Sequence, residues 1–415
     1  MKDVVAIVLA AGRGTRMKSD LPKVLHNILG KPMIMHVLGA IERAGIDETI
    51  LIAGHGNVLL KKCVGDRKIL IQKALLGSGD AVNTARKALS KYSGDIVVIC
   101  GDTPLIKSET IKALVSAHAE SGASATVMTV KLDDPTGYGR IVRGDGNRIR
   151  KIVEEDSSNP YEKAIEEINV GTYCFKAKDL FDALSKIKAD NKKGEYYLTD
   201  AVEILNKASG VVNAFMIDDA DEAIGVNTRV DLARAAGIMN RRVLEKLMLA
   251  GVTVEDPATT VIYPDAKIGK DSIVRPNTII ESDVEIGAGS SIGPFARIRS
   301  HVRLGKNVEV GNFVELVRTV IGDNTKVKHH TYLGDSVIGR DVNIGAGTIT
   351  ANFDGKNKNR TIIEDGASVG VGVRLIAPVK VGKRAILGAG CVITKNHNVP
   401  AGATVAGVPA KVIKR

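Results

Sequence analysis

The sequence predicts two fold classes in tandem: a mostly parallel α/β sheet covered by helices, then a parallel β-helix. Three observations carry this. Strand-length apolar runs alternate with helical stretches up to about residue 227, an amphipathic pattern fills 229–249, and apolar residues then recur every six positions. The chain's 415 residues also exceed what one ordinary core holds.

In the first half, Val4–Leu9, Thr49–Ala53, Ile96–Cys100 and Ala125–Val130 read as strands, and Pro32–Ala44 and Ala81–Leu89 as helices. Pro32 suits a first helical position, where a missing N–H costs nothing. Strand, helix, strand in succession implies a mostly parallel sheet with helices on both faces. Ligands of such sheets sit at the carboxyl ends of the strands. In the stretch 229–249, Leu232, Ala236, Met239, Val243 and Leu247 step by three and four, the mark of an amphipathic connecting helix.

The period then becomes six. Ile268, Val274, Ile280, Ile286, Ile292, Ile298, Leu304, Val310 and Leu316 form one run. Ile363, Val369, Leu375, Val381, Leu387, Ile393, Val399 and Val405 form another. Each six-residue step makes one flat face, and three faces make a coil. The phase slips by one between Leu316 and Ile321 and again between Leu333 and Ile338. The stretch "ANFDGKNKNR", 351–360, interrupts it. Such an insertion must project as a loop, a usual place for function on a rigid scaffold.

Composition narrows the function. The net charge is +11, yet no Lys/Arg run reaches five and aromatics are only 3%, which favours small anions over nucleic acid. Cys63, Cys100, Cys174 and Cys391 lie far apart without metal-type spacing and read as reduced thiols of a cytoplasmic protein. No apolar run approaches membrane-spanning length, so membrane insertion is not expected.

The first strand feeds "LAAGRGTRMKSDLPKVLH", residues 9–26. This Gly-rich turn, Ala10 to Gly14, is followed by Arg16 and Lys23, and matches neither the Walker pattern nor the three-glycine dinucleotide fingerprint. "GDTPLI" follows the strand ending at Cys100, so Asp102 sits at a strand's carboxyl end. A lone carboxylate there suits Mg²⁺, which takes few protein oxygens beside substrate phosphates.

These motifs, with "LDDPTGYGRI", "IVEE", "EEINVGTYCF", "GEYYLTD" and "GVNTR", resemble sugar-nucleotide pyrophosphorylases. Followed by a hexapeptide β-helix with "IGPFARIR", "VGNFVE", "HHTYLGD" and "NIGAGTITANFDG", the chain resembles one family nearly end to end. That family is the bacterial bifunctional N-acetylglucosamine-1-phosphate uridyltransferases and glucosamine-1-phosphate N-acetyltransferases. The resemblance implies a Rossmann-like nucleotidyltransferase domain over 1–228, a connecting helix over 229–250 and a left-handed β-helix acetyltransferase domain over 251–415. It further implies a homotrimer.

For the first reaction, the resemblance makes the trapped anion the triphosphate of UTP, cradled by Ala10, Ala11, Gly12 and Gly14. Arg16 and Lys23 neutralise charge on the transferring and leaving phosphates. Asn227 joins Asp102 as Mg²⁺ ligand and also touches substrate. Gln72, with Gly77 and Ser78, reads uracil, because its amide offers both a donor and an acceptor. Gly139, Glu154 and Asn169 hold the sugar of N-acetylglucosamine 1-phosphate. Two places depart from the family pattern: Glu155-Asp156 replaces His-Lys, and Val170 replaces Thr.

For the second reaction, an ammonium must lose its proton before nitrogen attacks a thioester, so a base is wanted. His329 aligns with the family's base, and Glu315 is expected to orient it or stabilise its charge. Arg299, Tyr332, Asn343, Asn352 and Lys358 match positions that hold glucosamine 1-phosphate, the amine and the acetyl group. Ala346, Asn352, Phe353, Val371 and Ala389 align with positions next to acetyl-CoA. Val317 stands where a Lys is expected, Lys328 and His330 flank the base, Phe353 replaces Tyr, and Val371 replaces Ser. The ending "VAGVPAKVIKR" is that of general hexapeptide acyltransferases. Arg318 is expected to turn inward at the phase slip and clamp the phosphate with Arg299. Two alternatives stand beside the bifunctional reading: a single-activity uridyltransferase whose β-helix only assembles the oligomer, and a non-enzymatic regulatory relative.

Overall fold

A computed structural model of the chain describes residues 3–12, 14–54, 58–144, 146 and 148–414. It divides into two compact units, Met1–Ile238 and Met239–Arg415.

In the first unit Val4–Ala10 lies mid-sheet, parallel to Glu48–Ala53 on one side and Asp95–Cys100 on the other. The sheet runs Val212–Met216, Ala125–Lys131, Glu167–Lys176, Asp95–Cys100, Val4–Ala10, Glu48–Ala53, Lys68–Ile71. Only Glu167–Lys176 on this path is antiparallel to its neighbours. Val4, Ala6 and Val8 enter one core while Val5 and Ile7 enter another, so both faces are covered. That is why the strand reads as an unbroken apolar run. A hairpin of Arg140–Arg143 and Ile149–Val153 hangs from Ile168.

Two helices differ from expectation. Pro32 is not the first helical residue: at ψ 140° it caps Met33–Arg43 from outside, and it pairs with Asn27 in a short hairpin. The stretch 81–89 is not one helix. The helix is Ser78–Asn83, after which Ala85 and Arg86 bond three residues back, to Val82 and Asn83, in successive tight turns.

The division between units falls inside the helix Arg229–Leu249. Its start is fixed by a reciprocal cap: the Asp231 carboxylate accepts from the Thr228 N–H at 2.8 Å, and Thr228 Oγ1 accepts from the Asp231 N–H at 3.2 Å.

The second unit is a prism of three sheets in which strands pair in parallel with the third strand after them, until Ile386–Leu387 pairs with Thr404–Ala406, the second after it. Ile268 faces Ile286 and Ile280 faces Ile298, one coil apart. Every residue of the two six-fold runs is buried except Ile268, which is half-buried. The phase slips are shortened coils: Leu304 pairs with Ile321. Arg318 and Asp335 make the tighter corners at φ 47° and 50°. The insertion projects between Ile349–Ala351 and Thr361–Ile363. Within it the Asp354 carboxylate accepts from the N–H groups of Lys356 and Asn357 and from Asn359 Nδ2, which holds it far below the usual carboxylate range. The last strand, Lys411–Lys414, folds back antiparallel on Thr404–Ala406.

Candidate active sites

At the carboxyl end of the central strand, segments distant in sequence meet. Lys23 Nζ forms an ion pair with Asp102 and donates to Asn227 Oδ1 at 3.0 Å, and Arg16 Nη2 donates to the same oxygen at 3.0 Å. Gly14 permits this. Its φ is 61°, and a Cβ there would stand 2.7 Å from that of Lys23. Asn227 is held by its own N–H, which donates to Asp231 at 3.0 Å, and by Val226, whose N–H donates to the Asp102 carbonyl at 2.9 Å. The Asp102 and Asn227 side chains thus present two oxygens to one cation, Lys23. Two oxygen donors meeting on a cationic group also fit a hard divalent ion that completes its shell from phosphates. Among the described residues no cluster of three or more His, Cys, Asp or Glu could hold a metal.

A cavity of about 740 Å³ opens over this cluster, lined by the turn Ala10, Ala11, Gly12 and Gly14 and by Gln72, Gly77 and Ser78. The Gln72 amide does not offer donors as expected. Its Nε2 donates to the Gly77 carbonyl at 3.1 Å and to Asp80 at 2.7 Å, so the carboxylate and carbonyl beside it claim both hydrogens. What it keeps for a ligand is Oε1. Gly77, at φ 107°, has no room for a Cβ, which would meet the Tyr196 carbonyl at 2.6 Å. Ser78 Oγ accepts from the Leu198 N–H at 2.9 Å.

Farther along, Gly139, Glu154 and Asn169 are neighbours. A Cβ on Gly139 would lie 3.7 Å from both the Glu154 carboxylate and the Asn169 Cβ. Burial raises the Glu154 carboxyl above its usual range, although it accepts from Thr199 Oγ1 at 2.8 Å. Asp200, next in sequence to Thr199, is pushed up to about 6 by burial and then by Glu154. Asn169 is partly committed, accepting from the Gly171 N–H at 3.1 Å and donating to the Tyr173 hydroxyl at 2.6 Å.

In the second unit His329 ends the strand Lys326–His329, exposed, in register with Asn312 one coil earlier. Its Nδ1 pairs with Asn312 Oδ1 at 2.9 Å. The orienting role expected of Glu315 thus falls to Asn312, while the Glu315 carboxylate accepts from Arg299 Nη1 at 2.9 Å. Asn312 was missed because a lone Asn carries no signal; only counting one shortened coil back from His329 would find it. Lys328 is countered by Glu309 at 2.9 Å. His330 stacks on Phe313, and Phe313 on Phe295, at centroid distances of 5.0 and 5.2 Å.

Arg318 also departs from expectation. Its tight corner carries the guanidinium onto Asp335 of the next coil, Nε and Nη2 donating at 2.5 and 2.8 Å. The guanidinium expected to clamp a phosphate with Arg299 is thus committed to Asp335, and Val317 beside it is buried. Arg299 keeps a buried Nε–H with no acceptor. Asn352 donates to Asp335 at 2.5 Å. Gly334 leaves room for the Tyr332 hydroxyl and the Asn352 amide, which a Cβ there would meet at 2.6 and 2.7 Å. Lys358, bridged to the exposed Phe353 across the projecting loop, adds its charge near Asp335. Asn343 lies on the sheet of His329, paired with Lys326, away from the Tyr332 face. Below His329 the corner positions Ala346, Val371 and Ala389 follow coil by coil, linked by N–H groups of Gly372 to Ala346 and Gly390 to Val371 at 2.7 Å each. They leave a strip of small or exposed residues along one edge.

Comparisons with known proteins address both units. The family model for nucleotidyl transferases matches residues 5–225. A model described as GMPPB C-terminal domain matches 288–357, and the bacterial transferase hexapeptide model matches 360–395. A "Bifunctional protein GlmU" of Shouchella clausii is 46% identical, covering 94% of this chain and 93% of that protein. The same-named protein of Heliobacterium modesticaldum is 44% identical over 96% and 94%. That of Geobacillus thermodenitrificans is 42% identical over 99% and 96%.

Proposed function

This chain belongs to the family of bifunctional GlmU proteins, and from that premise we infer how its two sites divide the work. It is a transferase with two activities, on a Rossmann-like nucleotidyltransferase fold followed by a left-handed β-helix of hexapeptide repeats. The β-helix acetylates glucosamine 1-phosphate from acetyl-CoA. The α/β unit then transfers UMP from UTP to N-acetylglucosamine 1-phosphate. The observation that carries the reading is the convergence of Arg16, Lys23, Asp102 and Asn227 at the strand ends. Mass spectrometry of products formed from glucosamine 1-phosphate, acetyl-CoA and UTP, each omitted in turn, tests it. Failure to form UDP-N-acetylglucosamine with all three present would overturn it.

In uridylyl transfer an oxygen of the sugar phosphate attacks the α-phosphorus of UTP, and the α–β bridging bond breaks to release pyrophosphate. The nucleophile is already ionised, so no protein base is needed and alignment with charge stabilisation carries the step. The backbone N–H groups of the Ala10–Gly14 turn and the cations Arg16 and Lys23 hold the phosphates. The free Gln72 Oε1 accepts from the uracil imide N–H. Glu154 and Asn169 face the sugar, with Gly139 leaving space for it. Asp102 and Asn227 would hold Mg²⁺, which neutralises phosphate charge when bound.

In acetyl transfer His329 Nε2 takes a proton from the amine, nitrogen attacks the thioester carbonyl, and CoA leaves as its thiol after protonation. The strip at Ala346, Val371 and Ala389 lies beside CoA, with Asn352 and Phe353 on the adjoining loop. Tyr332, Asn343 and Lys358 serve the sugar phosphate. The cation for its phosphate is Arg299, which meets Glu315 through Nη1 alone, rather than Arg318, whose Nε and Nη2 are both taken by Asp335. Losing a charge-assisted contact costs roughly 1.5–3 kcal/mol. Arg299→Ala is therefore expected to raise KM for glucosamine 1-phosphate about tenfold or more, and Arg318→Ala much less; initial-rate kinetics of CoA release read both.

No helix among the described residues is long and apolar enough to cross a membrane, and a cytoplasmic location agrees with the substrates of this reading. Flat prism faces suit a homotrimer with CoA bound between neighbours. Light scattering at micromolar concentration should give three times the chain mass, and a monomer mass would reject the trimer.

A further inference from the structure

The acidic pair Glu155-Asp156, which departs from the family pattern, has a structural role of its own. We propose that these two residues form a two-sided clasp that positions the segments 134–140 and 191–199 around the sugar pocket, setting how tightly the sugar phosphate is held. The proposal rests on the reading of Gly139, Glu154 and Asn169 as that pocket.

The geometry begins at a single tight turn, Glu155–Ser157, closed by the Ser157 N–H and the Ser158 hydroxyl, each donating to the Glu154 carbonyl at 2.9 Å. The turn leaves the Glu154 side chain facing Thr199 and sends its two neighbours to different segments. Glu155 takes the first. Its Oε2 meets Arg140 Nη2 at 2.8 Å and accepts from the Gly137 N–H at 3.3 Å. Arg140 is only 1% exposed, and its other terminal nitrogen donates to the Tyr138 carbonyl. A guanidinium so buried needs a counter-charge, and Glu155 supplies it. Gly139 lies between the two residues bound in this way.

Asp156 takes the second segment. Its carboxylate meets Lys193 Nζ at 2.5 Å, which holds it below the usual carboxylate range. Its backbone carbonyl accepts from Lys192 Nζ at 3.1 Å. The segment so anchored is tied to itself, because Asn191 Oδ1 accepts from the N–H groups of Lys193 and Glu195 at 3.2 and 3.1 Å. Its far end reaches both substrates' walls. Thr199 donates to Glu154, the Tyr196 carbonyl accepts from the Gly79 N–H at 2.8 Å, and the Leu198 N–H donates to Ser78. A shift at Asp156 is therefore passed to Glu154 and to the Gly77–Gly79 turn.

The two arms differ in strength. Arg140–Glu155 is buried, whereas Lys193 and Asp156 are each more than half exposed, and an exposed pair contributes little on its own. This makes the second arm the cleaner one to test, since breaking it should leave the fold intact.

The experiment is charge reversal in the full-length enzyme. Asp156→Lys and Lys193→Asp, singly, are expected to raise KM for N-acetylglucosamine 1-phosphate about threefold, the scale of an exposed ion pair, with kcat for uridylyl transfer nearly unchanged. The double variant should restore KM to near the wild-type value, which assigns the effect to the pair itself, and a rise in KM without a fall in kcat or in the amount of folded enzyme is what a merely structural role would not produce. Acetyl transfer should not change in any of them. Glu155→Gln is expected to raise KM further, at the cost of a buried Arg140 without its partner. Single variants with wild-type KM, or a double variant that fails to restore it, would overturn the clasp. Glu154→Gln separates this from failure of the pocket itself. If it raises KM while the reversal pair behaves as two independent changes, the clasp alone is wrong. If it leaves KM unchanged, the pocket reading fails and the clasp falls with it.

Discussion

Asp102→Ala is expected to lower uridylyl transfer by roughly a hundred- to thousandfold, the scale of removing one preorganised electrostatic contact, and to leave acetyl transfer within about twofold. The reason lies in what the carboxylate touches. It is the counter-charge of Lys23, whose side chain is only 14% exposed, and it is the charged member of the oxygen pair it forms with Asn227. Among the described residues, truncation leaves the Lys23 ammonium its contact with Asn227 Oδ1 and removes the carboxylate paired with it. The backbone should survive, because the link from Val226 uses the Asp102 carbonyl and not its side chain. Asp102→Asn, which keeps an oxygen without the charge, should fall between. Pyrophosphate release and CoA release measured on one preparation give both activities. Loss of both in a folded protein would refute the division of labour between units; loss of neither would remove Asp102 from the mechanism.

What the sequence made legible follows from periodicity. A strand buried on both faces, such as Val4–Ala10, must be apolar throughout. A three-sided coil must place an apolar residue at each face, so both patterns are written directly in residue types. That the Gly-rich turn, Arg16 and Lys23 gather at one strand end was legible from residue type, since glycines and two cations after a strand suit an anion; the close approach of Gly14 to Lys23 was not. Side-chain pairing was less so. Arg318 and Asp335 meet only because two shortened coils put both at tight corners, and nothing in "LVRTVIGD" says which way the guanidinium turns. Glu315 and Asn312 sit three residues apart on different strands of the prism, and which one reaches His329 depends on the corner between them. The amide of Gln72 was misjudged because its competitors, Gly77 and Asp80, are local neighbours whose turn geometry is not a matter of residue type. Ala81–Leu89 has a helical pattern, but three-residue bonds at Ala85 and Arg86 break it after Asn83.

The largest effect on the second activity should come from His329→Ala, which is expected to reduce acetyl transfer roughly 10²–10⁴-fold, the contribution of a positioned general base, with uridylyl transfer untouched. The argument turns on which ring nitrogen is available. Asn312 Oδ1 has lone pairs and no proton, so the Nδ1 facing it at 2.9 Å must carry the hydrogen. That fixes the neutral tautomer with its lone pair on Nε2, the nitrogen that takes the proton from the amine. The strand end is further fixed from the backbone, since Thr331 Oγ1 donates to the His329 carbonyl at 2.7 Å. Asn312→Ala should therefore lower kcat for acetyl transfer by less than His329→Ala does, because the base remains but its tautomer and ring angle are no longer set. Asn312→Asp keeps an acceptor and adds a charge that favours the imidazolium. It should retain more activity than Asn312→Ala at high pH, and its acid limb should move to higher pH. CoA release followed across pH for the three variants reads this directly. If Asn312→Ala and wild type share one profile, the amide does not orient the base. If His329→Ala retains acetyl transfer, the proton leaves by another route.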